Sequence, residues 1–527
     1  MRYQLEYMKK YNSIIRSFGH VAILMLIASP MLTSCVDDDT TLADKALSEI
    51  IIDATTIDEV YNIDKNEVLR IAPKISQTNK EKPLTYTWEV NQEVFSHSPE
   101  FEYPAKYLGR YMCRLIVENS DGKSFFPFIV NVNSPYEEGI TVLSQDADGK
   151  SMISFMLTPT DPTLPRHFIS GDCFSVNNED TPFASHAIDM VQSSGSLIIA
   201  CQGADDWQSH PTAGRNADVP TIYYLNEKTL VAENILTVTE YADFKPTHLI
   251  IPSMGASGVA YPVLCENGSV YEFSTTEGAI AKPTKLQSKY AQTCLVHDDG
   301  GSGWYFELLF WDKTVGGLCE IYSGYGPYYC GRKYHLLRDE CVGSENYFNG
   351  NDIVKMVLID LTDQQKRTER SEILVLTKNA IMTRKTILDT GFWVYDYDNG
   401  ENMLFDNGGT STACVGTNII TENTPCVANK TYYSLLFGRG NRLMRWNYTT
   451  QQTLDKADVL QTFGSSSAVI TDILLSRDHL TTYVAFYEPD QPGLNGSVYV
   501  INTDTGEILE RYDNVCYRPT RMIYKKK

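Results

Sequence analysis

Basic charge is scarce in this chain of 527 residues: 45 Lys and Arg stand against 66 Asp and Glu, for a formal net charge of −21. A field of that sign repels polyanions, which excludes nucleic acid as the expected partner. Apolar length is scarce too. The run Val21–Ile27 near the N-terminus stops after seven residues, whereas a membrane helix needs about 20. No Cys-x-x-Cys occurs, and the nine histidines stand singly, with no His-x-His or His-Glu-x-x-His to give a metal two ligands from one element. Gly255-Ala-Ser257-Gly258 lacks the spacing of a nucleophile elbow. No glycine-rich phosphate loop joins a strand to a helix, so nucleotide chemistry is not expected. Helical periodicity is absent beyond residue 136 apart from one short polar stretch, Asp360–Ser371. What is present is 43% hydrophobic residues and 33 tyrosines against 22 prolines, a β-leaning composition long enough for two to four domains.

Lys9, Lys10, Arg16 and His20 precede the short apolar run, and Ala28, Ser29 and Pro30 follow it, the layout of a secretory signal rather than a spanning helix. Leu32-Thr33-Ser34-Cys35 resembles the lipobox of bacterial lipoproteins, which implies cleavage before Cys35 and acylation of its thiol. Asp37, Asp38 and Asp39 follow directly and resemble the acidic surface-export signal of Bacteroidetes lipoproteins. The resemblance implies a lipid-anchored protein on the outer face of the outer membrane. Two or more acyl chains suffice to hold even so acidic a body. Residues 1–34 are thus expected to be a signal peptide and 35–48 an acylated tether.

Residues 49–134 show strand-length alternation. Tyr86-Thr-Trp88-Glu-Val90 sets three large side chains on one face, and Gly109-Arg-Tyr111-Met-Cys113-Arg-Leu115-Ile-Val117 repeats the device before the turn Asn119-Ser-Asp-Gly122. These residues resemble the PKD family of immunoglobulin-like β-sandwiches, with Asn91-Gln92-Glu93-Val94 standing where that family often has Gly-Asp-Gly. Trp88 is expected in the core. Ser134–Gly139 reads as a linker.

Across residues 136–527 one word recurs. Asn267-Gly-Ser-Val-Tyr271 and Asn495-Gly-Ser-Val-Tyr499 each reach a second turn glycine, Gly278 and Gly506, eleven positions on from the asparagine. Weaker copies align Tyr224, Tyr271, Ile321, Val394, Trp446 and Tyr499 at blade-like spacing, with an insertion read at Asp339–Ser371. The expected architecture is therefore all-β: a PKD-like sandwich followed by a β-propeller of about seven blades, closed where Gly139–Leu143 meets the Ile523 region.

The eleven cysteines besides Cys35 read mainly as small core hydrophobes. Asp146-Ala-Asp148-Gly149 and Asp396-Tyr-Asp398-Asn399-Gly400 offer oxygen ligands for a weak calcium case, but they are also favoured hairpin turns; no cofactor and no catalytic residue are expected. Candidate binding residues are Trp207, His210 and Arg215 in one long polar loop, and Tyr325, Tyr328 and Tyr329 in a glycine-tyrosine cluster, rigid aromatics among adaptable polar groups. The order of parts resembles PKD-like family lipoproteins of Bacteroidetes. That resemblance implies a non-catalytic accessory of a SusC/SusD-type uptake system, with a SusC-like transporter and a SusD-like lipoprotein as partners and oligopeptides or glycans as cargo. The competing expectations are a surface hydrolase or lyase and a purely structural or adhesive lipoprotein.

Overall fold

The computed structural model describes residues 47–158, 166–169, 171–193, 195–209, 218–249, 260–274 and 278–281, the strands between 291 and 414, and 419–526 apart from 452 and 477. Cys35, Asp37, Asp38 and Asp39, the polar stretch Asp360–Ser371, and Ser257 lie outside the described residues. The chain divides into two units, Met1–Asn133 and Ser134–Lys527. Among the described residues nearly all regular structure is strand, and the α-helix Cys173–Asn177 is five residues long.

In the first unit, β1 (Ile50–Ile52), β2 (Val60–Asp64), β3 (Val68–Ile71), β4 (Ile75–Gln77), β5 (Thr85–Val90), β6 (Glu93–Ser96), β7 (Phe101–Pro104), β8 (Gly109–Asn119) and β9 (Gly122–Asn133) follow one another. A five-stranded sheet orders them β2-β9-β8-β5-β6, and β3 pairs β7. Alternation decides which residues are buried. Trp88, Leu115, Val117, Phe128 and Val130 of the large sheet meet Leu69, Ile71, Phe101 and Tyr103 of the small one in a single apolar cluster. The Trp88 ring stacks on Phe101 at 4.8 Å and its Nε1 donates to the Ser98 carbonyl at 2.8 Å, so the one polar atom of this buried side chain is satisfied. Between β5 and β6 the turn is made by Asn91 and Gln92, both at positive φ, the geometry of a two-residue hairpin turn without glycine.

The second unit contains, among the described residues, seven four-stranded sheets. Sheet 1 joins Gly139–Gln145, Ser151–Leu157 and His167–Phe168 to the last strand of the chain, Arg518–Lys525. Sheets 2 to 7 then follow in sequence, with first strands Ala187–Ser193, Pro246–Leu249, Ala291–Asp298, Asp352–Leu358, Cys426–Asn429 and Val469–Leu475. Each is an antiparallel meander, and neighbouring first strands pack together in the series 3, 2, 1, 7, 6, 5, 4, where sheet 1 contributes Arg518–Lys525. This is a propeller-like arrangement.

Stacking of sheets on both faces explains the unbroken apolar runs. Leu197, Ile199 and Cys201 point into a cluster shared with Leu143, Ile153 and Phe155 of sheet 1, while Ile198 and Ala200 point the other way, towards Leu249, Val263 and Phe273 of sheet 3. Cys113, Cys173, Cys201, Cys265, Cys426 and Cys516 are free thiols, and all but Cys426 are buried. The repeated word starts the third strand of sheets 3 and 7: Tyr271 donates to Asp243 and Tyr499 to Asp513. Tyr224, Ile321 and Trp446 also lie on third strands, but Val394 does not. It belongs to an added hairpin, Phe392–Asp396 with Glu401–Phe405, and the third strand of sheet 5 is Thr383–Asp389. The stretch read as an insertion at Asp339–Ser371 contains the first strand of that sheet. The segment read as a linker is fastened to the second unit: Tyr136 is buried there and accepts from Asn177 Nδ2 at 2.9 Å.

Sheet 1 joins the two ends of this unit. Gly139 pairs with Lys525 and Thr141 with Ile523 in antiparallel register. A Cβ on Gly139 would lie 2.0 Å from the Met156 carbonyl oxygen, so the strand enters the sheet only as glycine. Lys525 is buried and donates to the Glu137 carbonyl at 2.7 Å. Burial pulls its ammonium down to about 8. The folded chain therefore binds fewer protons than the unfolded chain above about pH 8, and stability rises with pH from there towards the ordinary lysine value. Below that window the full penalty of a buried cation is present. Lys525→Met is expected to raise stability at neutral pH by about 1–3 kcal/mol and to flatten the alkaline slope. Melting temperature against pH measures both effects.

Candidate functional site

Two sites stand out on the second unit. The first is a cleft of about 230 Å³ between sheets 2 and 3. Its wall is the 3-10 turn Trp207–Ser209, whose Trp207 N donates to the Ala204 carbonyl at 3.1 Å. Trp207 is half-buried, and Gln208 ties the turn to the Ala242 carbonyl. Opposite lie Lys245, just before the first strand of sheet 3, and the Glu266–Asn267 turn of the same sheet. Lys245 Nζ is 3.0 Å from Glu266 and 3.5 Å from Asp205, and the Glu266 hydrogen bond lifts the ammonium above its ordinary pKa. The cleft thus combines one aromatic face with charges of both signs, on loops from one end of two packed sheets. Of the residues marked in the sequence, Trp207 lines it; His210, Arg215, Tyr325, Tyr328 and Tyr329 lie outside the described residues.

The second site was not legible from motifs. In six of the seven sheets the register between the two innermost strands shifts by one residue. The residue just past that bulge is Arg521 in sheet 1, Asp189 in sheet 2, His248 in sheet 3, Cys294 in sheet 4, Lys355 in sheet 5 and Asp472 in sheet 7. A bulge re-aims the side chain that follows it, and Arg521, Asp189, His248, Lys355 and Asp472 together make a polar belt at one level of the series. Asp189 accepts from its own sheet at Met190 N, 3.0 Å, and from the next sheet at Leu249 N, 2.8 Å. Asp472 does the same with Ile473 N at 3.0 Å and Met522 N at 2.5 Å. Arg521 Nε lies 3.2 Å from Asp189. The closing strand is thereby pinned on one side by the sheet 7 aspartate and on the other by the sheet 2 aspartate.

The electrostatics follow the geometry. Burial raises the Asp472 carboxyl, opposed by Arg521 and by its two N–H donors. Burial also pulls Arg521 down, but Asp189 and Asp472 more than offset it and the guanidinium ends above its ordinary value. His248 and Lys355 are both pulled down by burial, and each is close enough to Arg521 for its charge to push them further. Arg521 nevertheless keeps 45% of its side-chain surface open. Among the described residues no group of three or more His, Cys, Asp or Glu side chains is placed to hold a metal. The Asp146 carboxylate accepts from Asp148 N at 2.9 Å and Lys150 N at 2.8 Å, the bonding of a hairpin turn.

No family model matches the chain, and no curated protein does. Among solved structures it is similar to a quinoprotein alcohol dehydrogenase-like protein from Bacteroides thetaiotaomicron, at 15% identity and TM-score 0.45, covering 91% of this chain and 100% of that one. A proposed 6-phosphogluconolactonase from Bacteroides uniformis gives 9% identity and TM-score 0.41, covering 74% and 99%. Hydrazine synthase of Kuenenia stuttgartiensis gives 10% and 0.35, covering 71% and 96%. At these values none of their activities transfers to this chain.

Removing the Asp189 carboxylate leaves two backbone N–H groups and a guanidinium without their acceptor. Asp189→Ala is expected to cost the second unit about 3 kcal/mol and Asp189→Asn, which keeps one acceptor, roughly 1. Denaturant unfolding of the two variants reads the difference, and equal losses would contradict the fastening role.

Proposed function

We propose that the protein is a non-catalytic, lipid-anchored surface protein of the outer membrane, in which a PKD-like sandwich accompanies a seven-bladed propeller that captures oligopeptides for a SusC/SusD-type transporter. The observation that carries the peptide part is the Trp207 cleft. Lys245 and the carboxylates of Glu266 and Asp205 present both charge signs beside an indole face. Peptides bring charges of both signs and apolar side chains together. A neutral glycan offers hydroxyl hydrogen bonds but no charge to pair with those of the cleft.

The address rests on Cys35 with the short apolar run before it and Asp37, Asp38 and Asp39 after it. No helix among the described residues is long and apolar enough to cross a membrane. Acylation at Cys35 supplies attachment without one.

The tests are direct. On intact cells an impermeant label is expected to reach the protein, and Cys35→Ala is expected to shift it from the membrane to the soluble fraction. Affinity capture from solubilised outer membranes is expected to recover a TonB-dependent transporter and its lid lipoprotein. A variant that stays membrane-bound, or a capture without the transporter pair, contradicts the reading.

A further inference from the structure

The polar belt inside the second unit has donors left over after its structural bonds are made. Its two carboxylates are matched: Asp189 by two backbone N–H groups and Arg521, and Asp472 by two backbone N–H groups. The cations are matched less well. Lys355 Nζ donates to the Glu422 carbonyl, a dipole rather than a charge, and among the described residues no carboxylate lies within ion-pair distance of it. Arg521 turns its Nε to Asp189, and among the described residues its terminal amino groups are left for another acceptor.

His248 adds the opposite kind of group. Thr247 Oγ1 donates to the Leu264 carbonyl at 3.0 Å and lies 3.2 Å from His248 Nδ1, so Nδ1 carries the proton and Nε2 is left as an acceptor. Burial lowers the imidazole's pKa, which favours its neutral form. One level of the belt therefore gathers two cationic donors and one neutral acceptor.

The geometry points to a site for the C-terminal end of a short peptide: Lys355 and Arg521 take the carboxylate, and His248 Nε2 accepts from the N–H next to it. A carboxylate suits the Arg521 fork. Charge favours a monoanion as well. The formal charges of Arg521, Lys355, Asp189 and Asp472 cancel, and a phosphate dianion would leave twice the uncompensated negative charge in a partly desolvated space. The inference deepens the peptide-capture reading and rests on it for the ligand's class. It adds which end of the peptide is read and by which side chains.

The test uses the full mature chain and trialanine, once as the free acid and once as the C-terminal amide, with binding followed by calorimetry in moderate salt. The free acid is expected to bind about ten- to a hundredfold tighter than the amide, the factor of one charge-assisted contact. Lys355→Gln is expected to reduce that preference several-fold while Trp207→Ala leaves it in place. Inorganic phosphate is expected not to compete. Equal binding of acid and amide overturns the inference; if that binding is abolished by Trp207→Ala, peptide capture at the cleft survives without it. Competition by phosphate also overturns it, and failure of both peptides to bind sinks the two readings together. Should Lys355→Gln not fold, the acid-to-amide ratio of the unaltered protein decides alone.

Discussion

The second unit depends on one strand pairing, that of the last strand of the chain with the first strand of the same unit. Gly139–Gln145 finds Arg518–Lys525 as its neighbour, so the sheet that begins the unit is completed only when its final residues arrive. Antiparallel hydrogen bonds removed from water stabilise this pairing, but each contributes little net free energy. The greater part comes from burial: Ile140, Val142 and Met522 enter one cluster with Tyr483, Val498 and Val500 of sheet 7, at about 25 cal/mol per Å² of apolar surface removed from water. The same strand carries Arg521 between Asp472 and Asp189. Closure and belt are thus two consequences of a single placement.

That link explains how a scaffold of plain apolar strands acquires a polar interior. Stacked sheets demand apolar residues on both faces, which leaves no room for charge along most of each strand. A one-residue bulge breaks the alternation locally and turns a single side chain inwards. Repeated in sheet after sheet, it sets Asp189, His248, Lys355, Asp472 and Arg521 at one level without disturbing the cores between sheets. The carboxylates are then held by backbone N–H groups of adjacent sheets, so the charges that could have cost most to bury also fasten the sheets to each other.

Much of the architecture was legible because it rests on local patterns. Trp88 sits in an alternating strand and is fully buried; Tyr271 and Tyr499 share a five-residue word and hold equivalent places, each donating to an aspartate. Val394 misled for the same reason that these succeeded. An added hairpin has the alternation of a blade strand, and pattern alone does not tell which strand belongs to which sheet. In the cleft, Trp207 was visible as a large aromatic in a polar loop. Its partners Lys245 and Glu266 were not, because they come from another sheet and carry no motif. The belt was hidden more deeply: its members are single residues scattered from 189 to 521, related only through bulges that no composition or spacing displays.

Native-state hydrogen exchange tests the account most directly, because it reads the cooperativity of each strand separately. If the final strand closes the unit, the amides of Arg518–Lys525 exchange as slowly as those of Gly139–Gln145 and Val469–Leu475, in one cooperative class. Exchange of Arg518–Lys525 at the rate of a frayed tail, with Gly139–Gln145 still protected, would contradict the account.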